Sequence, residues 1–191
     1  MSKIAVIIGS TRQGRQSDRL ANWAAHEIKT KAEVEILDLR DYPLPFFNEE
    51  ISPRYNPERK TDAETQKWLD KLTEFDGFVI VTPEYNRSTS AVLKNAIDVI
   101  AHEIDDKPVA LIAHGSTGGA QAVASLRIAL PGVGVITIPQ ALFFSDRLAD
   151  SIDDEGILKE ELRDNPYGAQ GQLTTQVESL LMYADALKAV R

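Results

Sequence analysis

Between Gly9 and Ser17 the chain reads GSTRQGRQS, directly after the apolar stretch KIAVII. Glycine lets a backbone turn sharply beside a ligand, hydroxyls and freed N–H groups donate hydrogen bonds, and a helix starting near Ser17 brings the positive end of its dipole. Arg12, Arg15 and Arg19 place three positive charges within eight residues of a chain whose formal net charge is -8, so the local field opposes the global one. Such a loop suits an anion, with a phosphate monoester as the natural guest; the bland alternative for any one arginine is a solvated loop position. Gly9 and Gly14 imitate the start of a nucleotide-hydrolysing loop. However, Arg15 and Gln16 stand where lysine and a magnesium-binding hydroxyl are required, and Thr82 and Pro83 close the third strand instead of an aspartate. The three-glycine dinucleotide fingerprint is missing as well, because Ser10 and Thr11 follow Gly9; Asp38 could mimic an acidic ribose reader but has no glycine partner. A mononucleotide phosphate held without metal is what remains.

Two further loops carry chemistry-bearing residues. PEYN, Pro83 to Asn86, combines a rigid proline, an aromatic able to stack and an amide that donates and accepts, which suits a flat heteroaromatic ring; its plain reading is a turn before a helix. HGSTGGA opens a helix near Gly119, with glycines that let another molecule approach the main chain, or else is an ordinary capped connection. His114 ends a strand facing this presumed pocket, whereas His102 reads as a helix-end cap and His26 as a surface residue.

These loops need a scaffold that brings them together. Apolar runs mark strands at Lys3 to Ile8, Glu33 to Asp38, Gly77 to Thr82, Val109 to Ala113 and Val133 to Ile138. Helical spacing links Leu20, Trp23, Ala24 and Ile28. It also links Trp68, Leu72 and Phe75 behind a capping box of Thr61 and Glu64, and then Val92, Ala96, Ile97 and Ile100. A fourth helix should run from near Gly119 to just before Pro131. A fifth carries Leu173, Val177, Leu180, Leu181, Ala184 and Leu187 on one stripe. Continuous apolar strands such as FVIV and VALIA predict burial on both faces, hence an α/β fold with a parallel sheet between helical layers. In such sheets ligands bind beyond the carboxyl ends of the strands, where the three loops lie. Leu39 to Lys60, with four prolines, reads as an irregular excursion, and Pro139 to Gly171 as loops with one short helix.

Bulk properties narrow the functional classes. A length of 191 residues predicts one domain, 1–191, burying roughly 70% of its unfolded surface. The chain has no cysteine, so disulfides, thiol catalysis and cysteine-metal sites are excluded, and a reducing, cytoplasmic setting is expected. No apolar run approaches the roughly 20 residues of a membrane span, and the acidic balance argues against a nucleic-acid partner.

GSTRQGRQSDRLANW, PEYNRSTSAVLKNAIDVI and HGSTGGAQAVASLR, in this order, resemble the NAD(P)H-dependent FMN reductase family, a flavodoxin-like group that includes quinone, azo-dye and chromate reductases. The resemblance covers about Lys3 to Ile138. It implies a three-layer α/β/α sandwich with a five-stranded parallel sheet in the order 2-1-3-4-5. It places an FMN phosphate on Ser10, Arg12 and Ser17 with Gln16 nearby, the isoalloxazine against Pro83, Glu84, Tyr85 and Asn86 with Ser88 at the edge, and Ser116, Gly118 and Gly119 along the other rim. It implies NADPH or NADH as donor, a quinone, free flavin, azo or nitro compound as the small-molecule acceptor, a homodimer or homotetramer, and no catalytic side chain or metal. Backbone N–H groups near Asn86 and the helix start at Gly119 would stabilise charge on the reduced ring. Ser90, Val99 and His114 depart from the family's usual proline, aromatic and small residue. The alternative is an FMN-binding electron carrier that docks to protein partners.

Overall fold

A computed structural model describes residues 1–145 and 151–191. Five parallel strands, β1 (Lys3–Ile8), β2 (Glu33–Asp38), β3 (Gly77–Pro83), β4 (Pro108–His114) and β5 (Ile136–Phe144), form one sheet in the order β2-β1-β3-β4-β5. The helices are α1 (Ser17–Lys29), α2 (Ala63–Thr73), α3 (Ala91–Asp98), α4 (Ala120–Ala129) and α5 (Ala169–Lys188). Every residue of β3 is buried, as its unbroken apolar run requires of a central strand covered on both faces. Alternate residues divide the core into two layers. Val6, Val79, Val81 and Ile112 meet Leu20, Trp23 and Ile28 of α1 and Leu173, Val177 and Leu180 of α5. Ile7, Phe78, Ile80 and Leu111 meet Trp68 and Leu72 of α2, Leu93 and Ile97 of α3, and Leu126 of α4. The predicted sandwich and strand order are both present, and no helix among the described residues is long and apolar enough to cross a membrane.

Three local expectations change. Helix α2 is capped by Asp62, whose carboxylate accepts from the N–H groups of Glu64 and Thr65 at 3.0 Å, while the Thr61 hydroxyl donates to Gln66; the Thr61/Glu64 box does not form. Strand β5 begins at Ile136, because Val133 belongs to a 3₁₀ turn closed by Gly134 at φ 82°, and it runs on to Phe144 through residues expected to be loop. Its pairing slips between Val109 and Leu111, and the buried Gln176 amide of α5 donates to the carbonyls of Leu111 and Gln140, so a side chain from outside the strand stabilises the irregularity. Within the rest of the predicted loop region, 146–150 lie outside the described residues, Ile152 pairs with Leu158 in an isolated bridge, and Glu160–Leu162 is a short 3₁₀ turn. The excursion after β2 is irregular as expected, broken by 3₁₀ turns at Leu39–Asp41 and Pro53–Tyr55.

Candidate active site

Parallel pairing aligns the carboxyl ends of β1, β3 and β4. Ile8 lies beside Val81, and Pro83 beside His114. The three loops predicted to act together therefore emerge at one edge, and between them lies a cleft of about 310 Å³, at the lower end of the range for small-molecule sites. Arg12, Gly14, Arg15 and Gln16 line it from the first loop, Pro83, Glu84 and Tyr85 from the second, and His114, Gly115 and Ser116 from the third. Gly9 makes this convergence feasible. Its N–H bonds the Val81 carbonyl at 2.8 Å, and a Cβ there would stand 2.8 Å from Leu93 Cδ2 and 2.9 Å from that carbonyl oxygen.

The three arginines of the first loop have separate fates. The Arg19 guanidinium pairs with Asp154 and donates to the Ile152 carbonyl, pinning the C-terminal segment to α1. Arg15 is almost wholly buried and forks onto Asp38. Arg12 is exposed and forms no ion pair among the described residues, so it is the arginine left to meet an anion in the cleft. Gln16 precedes α1 without using its side chain as a cap.

Ser10 and Ser17 sit beneath the cleft, both with 0% exposure. Ser10 Oγ is 3.0 Å from the Tyr85 hydroxyl, and Ser17 Oγ is 2.8 Å from His114 Nε2. The second distance is that of a nucleophile and its base, but a fully covered serine offers no path to a substrate, so the pair ties α1 to β4.

In the second loop, Tyr85 and Ser88 exchange main-chain bonds of 2.9 and 3.0 Å, and Asn86 and Arg87 between them adopt φ 50° and 68°. Two successive left-handed residues make a tight turn, a costly backbone for side-chain-bearing residues that the Ser88–Ser125 hydroxyl contact anchors to α4. Asn86, Ser88, Gly118 and Gly119 are not among the residues that line the cleft. The Glu84 carboxylate accepts from Thr117 Oγ1 and the Gln121 N–H, both at 2.9 Å. That N–H belongs to the first turn of α4, so the helix start expected to stabilise ligand charge already holds a carboxylate of the protein. Gly119, at φ 82°, packs so closely on β4 that a Cβ would stand 2.5 Å from that of Ala113.

Arg15, a candidate anion ligand by sequence, and Asp38, a candidate ribose reader, satisfy each other in the structure, a pairing that sequence reasoning misses. It also misses Arg40, whose guanidinium donates to the Arg12 carbonyl at 2.7 Å. No local pattern signals these pairings, because the partners sit on separate elements, Asp38 lying 23 residues from Arg15. The site is thus a concave, largely preformed surface with one uncommitted cation at one end and a rigid aromatic turn at the other.

Residues 2–149 match the family model described as NADPH-dependent FMN reductase. The chain is 37% identical over 127 residues to an NAD(P)H-dependent FMN reductase of Schizosaccharomyces pombe, a match covering 65% of this chain and 64% of that protein, just under two thirds of its length. It is 36% identical over 142 residues to an NADPH azoreductase of Bacillus sp., covering 72% of this chain and 74% of the relative. Among solved structures, the flavoenzyme NAD(P)H:(acceptor) oxidoreductase FerB from Paracoccus denitrificans shares the fold with a TM-score of 0.72, at 23% identity, over 99% of this chain and 98% of that one.

Proposed function

The chain belongs to the NADPH-dependent FMN reductase family, and on that premise we propose that it is an FMN-dependent oxidoreductase, moving hydride from NADPH or NADH through bound FMN to a quinone, a free flavin, or an azo or nitro compound. The observation that carries this reading is the meeting of three loops at one cleft in which Arg12 alone of three arginines is uncommitted. The residues fit the group. Arg12 and Gln16 reach the phosphate, helped by backbone N–H groups at the start of α1. Ser10 and Ser17 form the floor beneath it, their covered hydroxyls bonded to Tyr85 and His114 so that they hold the loop in place under the phosphate. Pro83, Glu84, Tyr85 and Asn86 support the ring, Ser88 fixes the turn's edge, and Ser116, Gly118 and Gly119 bound the opposite rim.

Bound FMN supplies the two-electron chemistry, and the protein supplies orientation and electrostatics. Glu84 is held by two hydrogen bonds, from Thr117 of the third loop and from the first turn of α4, so its carboxylate is already engaged by the protein. The exposed Phe46 and Tyr55 on the excursion after β2 support assembly into a homodimer or homotetramer. We place the enzyme in the cytoplasm as one domain spanning 1–191. The test is direct: titration should quench flavin fluorescence, and the loaded protein should oxidise NADPH or NADH when a quinone is added. Flavin uptake without turnover would favour the electron-carrier reading. Absence of uptake would sink both.

A further inference from the structure

Arg15 lines the cleft, yet every nitrogen of its guanidinium is engaged by the protein. Nη1 donates to Asp38 Oδ1 at 2.7 Å and to the Ser10 carbonyl at 2.5 Å, Nη2 pairs with Asp38 Oδ2, and Nε reaches Asp18 Oδ2 at 3.3 Å. The side chain is only 4% exposed. Asp38 also accepts from the Arg40 N–H at 2.9 Å, and the Arg40 guanidinium returns to the first loop, donating to the Arg12 carbonyl at 2.7 Å with a longer contact of 3.5 Å to the Thr11 carbonyl. Three successive carbonyls, those of Ser10, Thr11 and Arg12, are thus held by arginines anchored at the end of β2. Free carbonyl oxygens would repel a phosphate. Tying them back removes that repulsion and fixes the loop that carries Arg12.

We infer that Arg15 and Asp38 form a positioning clamp for the phosphate loop, and that Arg12 is the cation that touches the phosphate. This rests on the FMN reading above but goes beyond it, because it assigns the most buried arginine beside the cleft to loop geometry rather than to the ligand. It also gives Asp38 a sign. If Arg15 were a phosphate ligand restrained by Asp38, loosening that restraint would strengthen FMN binding. A clamp makes the opposite demand.

The experiment compares FMN with riboflavin, which lacks the phosphate, by fluorescence quenching in the wild-type chain, Asp38→Asn, Arg15→Lys and the double variant. Lysine keeps the charge of Arg15 without its fork. Each single change is expected to lower FMN affinity about tenfold while riboflavin affinity moves less than about twofold, and the double variant to be no worse than either single one, as residues sharing one interaction behave. Unchanged or tighter FMN binding in Asp38→Asn overturns the clamp. Equal losses for both flavins overturn it too, because they signal general damage. Hydrogen exchange at the amides of Gly14 to Ser17 provides a readout that needs no flavin: Asp38→Asn should speed exchange there while leaving β3 and β4 protected. If the wild-type chain takes up no flavin, the functional reading falls, and this exchange comparison alone decides the clamp, with unchanged protection counting against it.

Discussion

The two ends of the sheet handle charge and backbone conformation differently. At the amino ends of the strands charges gather into clusters of ion pairs and hydrogen bonds. Lys3 and Lys71 share Glu35 and Glu74 at 2.7–3.4 Å, Asp76 meets Lys188 at 2.8 Å, and the Lys107 ammonium donates to the Leu72 and Thr73 carbonyls at the end of α2. At the carboxyl ends, Arg12 stands without an ion pair among the described residues. Left-handed backbone occurs singly at Asp106 and Gly134 before β4 and β5, but as consecutive pairs at the carboxyl ends, Asn86 with Arg87 and Gly118 with Gly119, besides Gly14. The first end is arranged for the fold. The second concentrates the departures from local preference in two consecutive pairs and leaves Arg12 and Arg87 without an ion pair among the described residues, as expected where a ligand rather than the protein supplies the missing interaction.

The contrast can be broken most severely at Gly119. A valine there would need a left-handed backbone and would drive its Cβ to within 2.7 Å of the His114 nitrogen, so Gly119→Val should destabilise the chain by about 3 kcal/mol. Urea unfolding measures this, and a loss below about 1 kcal/mol would mean that the α4 start yields easily. Arg12→Ala tests the same end through binding. Because Arg12 is exposed and forms no ion pair among the described residues, its loss should leave the unfolding free energy within about 0.5 kcal/mol of wild type while weakening FMN about 100-fold, the value of a charge-assisted contact. A stability loss with unchanged FMN affinity would reverse the roles assigned to the two ends.

Much of this was legible in the residues themselves. Buried strands announce themselves by unbroken apolar runs, so β1 matches its expected bounds, β3 gains one residue at its end and β4 one at each end, while the partly exposed, alternating β2 matches as well. The loops of the site were legible because glycine, hydroxyl and arginine cluster where a parallel sheet puts its ligands. Partnership was not legible. Nothing in the local pattern around Arg15 says that Asp38, 23 residues away, will take its charge, nor that Tyr85 and His114 will cover the hydroxyls of Ser10 and Ser17. Strand β5 was misjudged for the same reason: the residues after Pro139 look like a loop until the Gln176 amide, from α5, stabilises the slipped register.

Helix α2 joins the two ends, with Asp62 capping its start and Lys107 covering its last carbonyls, so it sharpens the comparison within one element. Burial pushes the Lys107 ammonium down to about 8, with Arg191 adding repulsion and Asp76 and Glu103 opposing it. The folded pKa lies below the unfolded value of about 10.4, so between these limits the unfolded chain binds more protons and stability should rise with pH, by an amount of order 2 kcal/mol. Lys107→Met should abolish that rise in urea midpoints compared at pH 7.5 and 10; a rise that persists would assign it to other groups.

Asp62 follows the opposite sign. Hydrogen bonds from the Thr65 hydroxyl and N–H hold its carboxyl below the usual carboxylate range, so its contribution is complete above the unfolded pKa of about 3.9 and disappears as pH falls through the lower folded value. Asp62→Ala should cost about 1 kcal/mol at pH 7, the usual value of a lost cap, and the difference from wild type should shrink toward zero below about pH 3. If the difference instead survives acidification, the carboxylate charge is not what holds the first turn of α2, and the Thr65 hydroxyl contact at 2.6 Å would have to act through the neutral acid. Because Asp62 caps an exposed helix start outside the cleft, the same substitution should leave FMN affinity untouched, and that separates the cost of a cap from the work of the ligand-bearing loops.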